Sequence, residues 1–191
     1  MIKAKGLLFF LALSWVPAHA GTILYTDSGT FTASTPSSVF TGPGETWAFS
    51  FEAETNPTVL EFGMGGFDFA YSDFSYLLNG SPVAITPSFI RFFSPNNGGG
   101  FYICFNGTTV QNCTEAMGTG NFVPAVYTGT TSAPTLLTGS FPGELGVAVG
   151  SGGADEGPTT LIGTAVPEPS TLLTLAPFLV ALAGRRLYRR T

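Results

Sequence analysis

Histidine is almost absent from this 191-residue chain: His19 is its single instance. Lysine occurs twice, at Lys3 and Lys5. From residue 21 to residue 165 the chain holds neither, and Arg91 is the one cation of that stretch. Each absence removes a class of chemistry. Without histidine there is no Ser-His-Asp or Cys-His mechanism and no ordinary histidine-ligated metal centre. Without lysine there is no Schiff base and no phosphate-binding loop of the Walker kind. Nucleic acid and anionic headgroups need basic patches, and none can form here. Cysteine is scarce too, with Cys104 and Cys113 alone. No part of the middle keeps a helical period.

What is present in that middle is acid and aromatic. Residues 21–165 carry eleven carboxylates against Arg91, a net charge of −10. Such a charge keeps a surface soluble. The whole chain has 18 Phe, 6 Tyr and 2 Trp, too many aromatics for a disordered polymer. At this length the stretch suits one domain able to bury a core of its own.

The apolar pattern has period two. Trp47, Phe49 and Phe51 alternate with Ala48, Ser50 and Glu52, and Phe67, Phe69 and Tyr71 alternate with Asp68, Ala70 and Ser72. The parity then flips, because Phe74 and Tyr76 fall on even numbers, which puts a turn or bulge at Ser72-Asp73. Further strands are expected at 23–25, 83–85, 89–93, 101–105, 122–127, 144–149 and 160–164. Gly-, Pro- and Asn-rich breaks separate them, as at 41–44, 94–100 and 151–153. The end of the Gly-, Thr- and Pro-rich stretch 151–169 reads as a linker. Many short strands between turn signals predict an all-β fold, a single β-sandwich of jelly-roll or immunoglobulin-like layout.

Cys104 and Cys113 form an even pair nine positions apart, so in an oxidising compartment a disulfide is expected. Two turn signals compete inside that loop. A tight hairpin at Asn106-Gly107 would pair Cys104 with Thr109 and leave Cys113 out of reach. A turn centred on Thr108-Thr109 would set Cys104 opposite Cys113. The disulfide therefore predicts that the Asn-Gly hairpin does not form.

Catalytic residues, cofactors and metal ligands are not expected. Carboxylate pairs remain the one catalytic option, as in glycoside hydrolases, with Glu52 and Glu54 or Asp68 and Asp73 as candidates. Glu52 and Glu54 lie at i, i+2 on one strand face and read as solvated neighbours. Asp155 and Glu156 sit in a glycine-rich stretch and invite calcium, though the ordered loop spacing is missing. Exposed aromatics can stack on sugar rings, but Phe dominates here and Phe on an alternating strand belongs to a core, while Trp47 sits within the clearest apolar stripe.

The two ends carry the sharpest signals. Lys3 and Lys5, then an apolar run over residues 6–16, then Ala18-His19-Ala20, form a secretory signal with cleavage between Ala20 and Gly21. Residues 166–191 begin with Pro167-Glu168-Pro169, continue through an uncharged apolar segment at 171–184, and close with Arg185, Arg186, Arg189 and Arg190 in a basic cluster at 185–190. As a helix that segment spans about 21 Å, short against a hydrocarbon core of about 30 Å. The arginines hold such an end in the cytoplasm as a stop-transfer signal.

The motif, the apolar segment and the arginine cluster, in that order, resemble the PEP-CTERM sorting domain of Gram-negative bacteria. The resemblance covers the tail alone. It implies an exosortase-like membrane enzyme as partner, transient residence in the inner membrane through the tail, and delivery to the cell surface or extracellular matrix. It also implies a host that makes exopolysaccharide. The expectation is an exported structural protein without catalysis, the alternative being a carbohydrate-binding module for exopolysaccharide.

Overall fold

The computed structural model describes residues 21–32, 40, 42–97, 99–120, 125–149 and 152–167. The signal peptide expected at 1–20 and the sorting tail expected from Glu168 onward, with its apolar segment and arginines, lie outside the described residues. Among the described residues no helix is long and apolar enough to cross a membrane.

The described chain is built of antiparallel strands. One arm comprises β1 (Thr22–Thr30), β2 (Thr46–Glu54), β5 (Ser72–Leu78) and β6 (Ser81–Pro82). The other comprises β3 (Val59–Gly63), β4 (Gly66–Phe69), β7 (Phe89–Phe93), β8 (Phe101–Asn106) and β9 (Glu115–Gly120). Two long strands, β12 (Gly139–Val149) and β13 (Gly152–Val166), connect the arms. The result is one eleven-stranded sheet in the order β3-β4-β7-β8-β9-β12-β13-β1-β2-β5-β6. A separate hairpin pairs β10 (Tyr127–Thr130) with β11 (Ala133–Leu136).

The sheet folds over on itself, and aromatic rings meet between the arms. Tyr25 of β1 packs edge-on against Phe92 of β7 at 5.5 Å, and Phe49 of β2 against Phe101 of β8 at 5.2 Å. Phe51 of β2 reaches Phe69 of β4 at 6.0 Å. This two-layer, sandwich-like core follows from the period-two pattern, since the buried residues of β2 are Trp47, Phe49, Phe51 and Ala53. Trp47 is buried, as its stripe predicts.

The turnover lies in β12 and β13. Only residues 144–149 of β12 also pair with β9, and only 162–166 of β13 also pair with β1. Inside the first of these zones the β12–β13 register slips, so that Leu145 faces Gly157 while Gly146 faces Asp155. Glu156 is left as the extra residue of a bulge, which bends and twists a strand at that point.

Several expected elements sit as predicted, with strands at 89–93 and 101–106. The parity flip at Ser72-Asp73 marks the passage from β4 in one arm to β5 in the other. Asp73 has a positive φ of 49°, and the β2–β5 register shifts between Ser50 and Glu52. Four expectations need correction. Residues 83–85 are not a strand; Val83 only donates its N–H to Tyr76. The strand expected at 122–127 begins at Tyr127, while residues 121–124 lie outside the described set. The stretch from 152 is not a glycine-rich loop but the longest strand, and it runs on to Val166. Finally, β3, β9 and the β10–β11 hairpin were not expected.

Candidate functional site

Cys104 and Cys113 are bonded, with Cα atoms 5.9 Å apart. The tight Asn106-Gly107 hairpin is absent, as the bond requires. The turn centred on Thr108-Thr109 is also absent, which corrects that expectation. Cys104 lies opposite Ala116, and Asn106 opposite Glu115, with Phe105 as the extra residue between them. Cys113 thus belongs to the loop, and the bond ties a strand to the loop that follows it. A 3-10 turn over Val110–Asn112 takes up the slack. The Asn112 carboxamide oxygen accepts the N–H groups of Thr108 at 2.8 Å and Thr109 at 2.7 Å. Gly107 has φ +152°, and a Cβ there would sit 2.6 Å from the Cys113 Cα. At its far side the loop reaches the β3–β4 turn, where the Gln111 amide meets the Met64 sulfur.

Strands β8, β9 and β12 bring Tyr102, Gly118 and Gly146 side by side, with Cys104, Ala116 and Ala148 as the next row. The small residues form a floor, and Tyr102 and Phe93 form a wall, around a groove of about 330 Å³. The Tyr102 ring lies close over Gly118, where an added Cβ would come within 3.2 Å of it. Tyr102 is half-buried, and desolvation raises its phenol above the usual value. It also stacks on Phe89 at 6.1 Å. The groove therefore presents an aromatic platform with a polar tip and no charged side chain. A second groove, on the outer face of β1, β2, β5 and β13, is walled mainly by Thr26, Ser28, Ala48, Ser50, Ser75 and Thr160.

Of the carboxylate candidates only Glu52 and Glu54 come together, lining a pocket of about 250 Å³ with Thr22, Thr58, Ala70 and Ser72. Asp68 is buried against Arg91, which donates from Nε to Oδ1 and from Nη2 to Oδ2 at 3.0 Å. Asp73 stands on β5, in the opposite arm. Glu52 and Glu54 share the outward face of β2, alternating with buried Phe51 and Ala53. Asp155 and Glu156 lie within β13 rather than in a loop. Glu156 is 5% exposed and accepts the Thr32 N–H at 2.5 Å. Among the described residues no three metal-binding side chains cluster.

One buried acid lies outside every candidate pair. Asp27 is 5% exposed; its Oδ1 accepts from the Ser28 N–H at 2.7 Å and the Thr159 hydroxyl at 2.5 Å. Its Oδ2 has no hydrogen-bond partner. Burial raises its pKa, and the hydrogen bonds from Thr159, Ser28 and Thr160 offset part of that. Placed on the inward parity of β1 with Ile23 and Tyr25, it was legible as a conflict in the pattern, since a core stripe there contains an acid.

Of the residues expected to carry cleavage and sorting, Gly21 and Pro167 are described. Thr55 donates its N–H to the Gly21 carbonyl at 2.7 Å, and Thr22 faces Val166 across β1 and β13. Ala20, Glu168, Pro169, Arg185, Arg186, Arg189 and Arg190 lie outside the described residues. Compared with protein-family models, curated proteins and solved structures, the chain matches none.

Proposed function

We propose that the protein is exported, processed at its tail by an exosortase-like enzyme, and retained at the cell surface or in the extracellular matrix in a structural role. The observation that carries this reading is the tail itself: Pro167-Glu168-Pro169, an apolar segment and four arginines, in that order. The body gives indirect support. Thr22 and Val166 are neighbours, so both ends of the body leave it together. One pole then faces the membrane during processing and the rest of the body stands clear of it. In layout we read the folded-over sheet as a sandwich of the jelly-roll or immunoglobulin-like kind, because the chain passes repeatedly between the arms.

The test is fractionation with intact-mass analysis in the organism that encodes the chain. Replacing Arg185, Arg186, Arg189 and Arg190 with Ser releases unprocessed protein into the periplasm, because the charges that resist crossing are gone, each worth about 2.5–3.5 kcal/mol at the bilayer centre. Glu168→Ala leaves the protein in the membrane with its tail intact. Wild-type processing of both variants overturns the proposal.

A second reading is a module that binds uncharged polysaccharide, favoured by the Tyr102 and Phe93 wall over the Gly118 and Gly146 floor. Sugar rings stack on such platforms, and the phenol tip tolerates water. Retention of the wild-type chain on an exopolysaccharide column, lost in Tyr102→Ala, supports it. Equal behaviour of the two chains removes it. A glycosidase role has less behind it, since Glu52 and Glu54, though they line one pocket, are neighbours on one strand face and do not oppose each other across it.

A further inference from the structure

Sulfur is sparse in this chain, and most of it is out of reach. Cys104 and Cys113 are consumed in their bond, and no free cysteine remains. Met1 falls in the expected signal peptide, outside the described residues, which leaves Met64 and Met117. Met117 is 0% exposed, on the core side of β9 between Ile103 of β8 and Val147 of β12. Met64 is 58% exposed. The other exposed large apolar residues among those described are Leu60, Phe62 and Ile162, whose side chains hold no heteroatom. The body therefore presents one thioether to solvent.

Local structure explains its exposure. Gly63 faces Gly66 around the two-residue turn of Met64 and Gly65, whose φ values of 47° and 74° mark a tight hairpin. The turn follows β3, the outermost strand of the sheet on that side, so no further strand shelters it. The sulfur has one polar neighbour, the Gln111 amide, which donates to it from Nε2. Gln111 is itself exposed and belongs to the 3-10 turn inside the disulfide loop.

We propose that Met64 is a reversible oxidation site, converted to the sulfoxide by small hydroperoxides such as hydrogen peroxide. A sulfur lone pair attacks one peroxide oxygen. The O–O bond breaks, an S–O bond forms, and the second oxygen leaves as water with the proton of the first. The sulfur gives up two electrons and the peroxide takes them. Thiol-dependent sulfoxide reductases return the thioether.

Burial decides between the two methionines. A sulfoxide at Met117 would set a polar oxygen in the core without a partner, and peroxide reaches that sulfur only when its strands part. At Met64 the new oxygen stands in water. It is a stronger acceptor than the thioether, and the Gln111 amide is beside it to donate. The fold therefore tolerates the change, while a bare apolar side chain becomes polar. The site depends neither on the tail nor on the grooves.

The experiment uses the folded full chain recovered from its own host, treated with a sulfoxide reductase and then with hydrogen peroxide. Peptide mass mapping shows a gain of about 16 Da at Met64. Met117 gains oxygen at least about tenfold more slowly in the folded chain and as fast as Met64 in urea. Retention on a hydrophobic-interaction column falls with oxidation, and the urea midpoint does not move. In Met64→Leu the same treatment leaves the retention unchanged. Equal oxidation of Met117 in the folded chain overturns the proposal, as does a Met64 that stays reduced under peroxide that oxidises free methionine. A urea midpoint lowered by oxidation of Met64, or retention that falls equally in Met64→Leu, overturns it too.

Discussion

Arg91 shows what a body almost devoid of cations does with the one it has. It is 3% exposed, forks onto Asp68 and lies 5.9 Å from the Phe89 ring centre. Removing one member of a buried pair strands the other charge, at a cost of about 3–5 kcal/mol, whereas replacing both with apolar groups costs far less. Arg91→Met should lower unfolding stability by that amount in urea titration. The double replacement Asp68→Leu with Arg91→Met should recover most of it. Glu61 lies 4.0 Å from the same guanidinium but is largely exposed, so Glu61→Gln should change little. Native protein should also resist trypsin across residues 21–165, because Arg91 is the one cleavable residue there and is buried.

Asp27 belongs to the same scale. Burial raises its pKa, so the folded chain holds the proton more tightly than the unfolded chain does. Its contribution is complete below the unfolded value of about 3.9 and is lost as pH rises through the folded value. Asp27→Asn keeps an oxygen for Ser28 and Thr159 and removes the charge. The variant should match wild type at acid pH and become the more stable of the two at neutral pH. Urea unfolding at both pH values checks this, and parallel curves across the range would contradict it.

At the scale of elements, the sequence was legible wherever one strand face is buried and the other wet. β2, β7 and β8 follow from Trp47, Phe49 and Phe51, from Phe89 to Phe93, and from Phe101 to Phe105. It was illegible where alternation fails for a physical reason. β3 lies at an edge and bares its apolar residues, and the early part of β13 is mostly Gly, Ala and acid. Turn chemistry misled in a similar way. Asn79-Gly80 makes the tight hairpin between β5 and β6, with φ values of 52° and 74°, whereas Asn106-Gly107 does not. The difference is Cys113, whose bond to Cys104 forces a longer loop. Serine at both cysteines should cost about 2.5–3 kcal/mol by loop entropy. The loss is read as a lower urea midpoint.

At the scale of the molecule, one sheet folds over itself and binds its first strand to its last. The candidate groove was illegible in advance because its floor is assembled from Gly118 and Gly146, which only the pairing of β9 with β12 brings side by side. Pairing of Thr22 with Val166 gathers both termini of the body at one place. On the proposed route the chain is trimmed at each of them. Intact-mass analysis of the protein recovered from its own cell surface tests this most directly, combined with labelling by an amine-reactive reagent. The account predicts a chain that begins at Gly21, lacks Arg185, Arg186, Arg189 and Arg190, and takes up one label, on its α-amine. A full-length mass with the tail in place, or two further labels at Lys3 and Lys5, would contradict it.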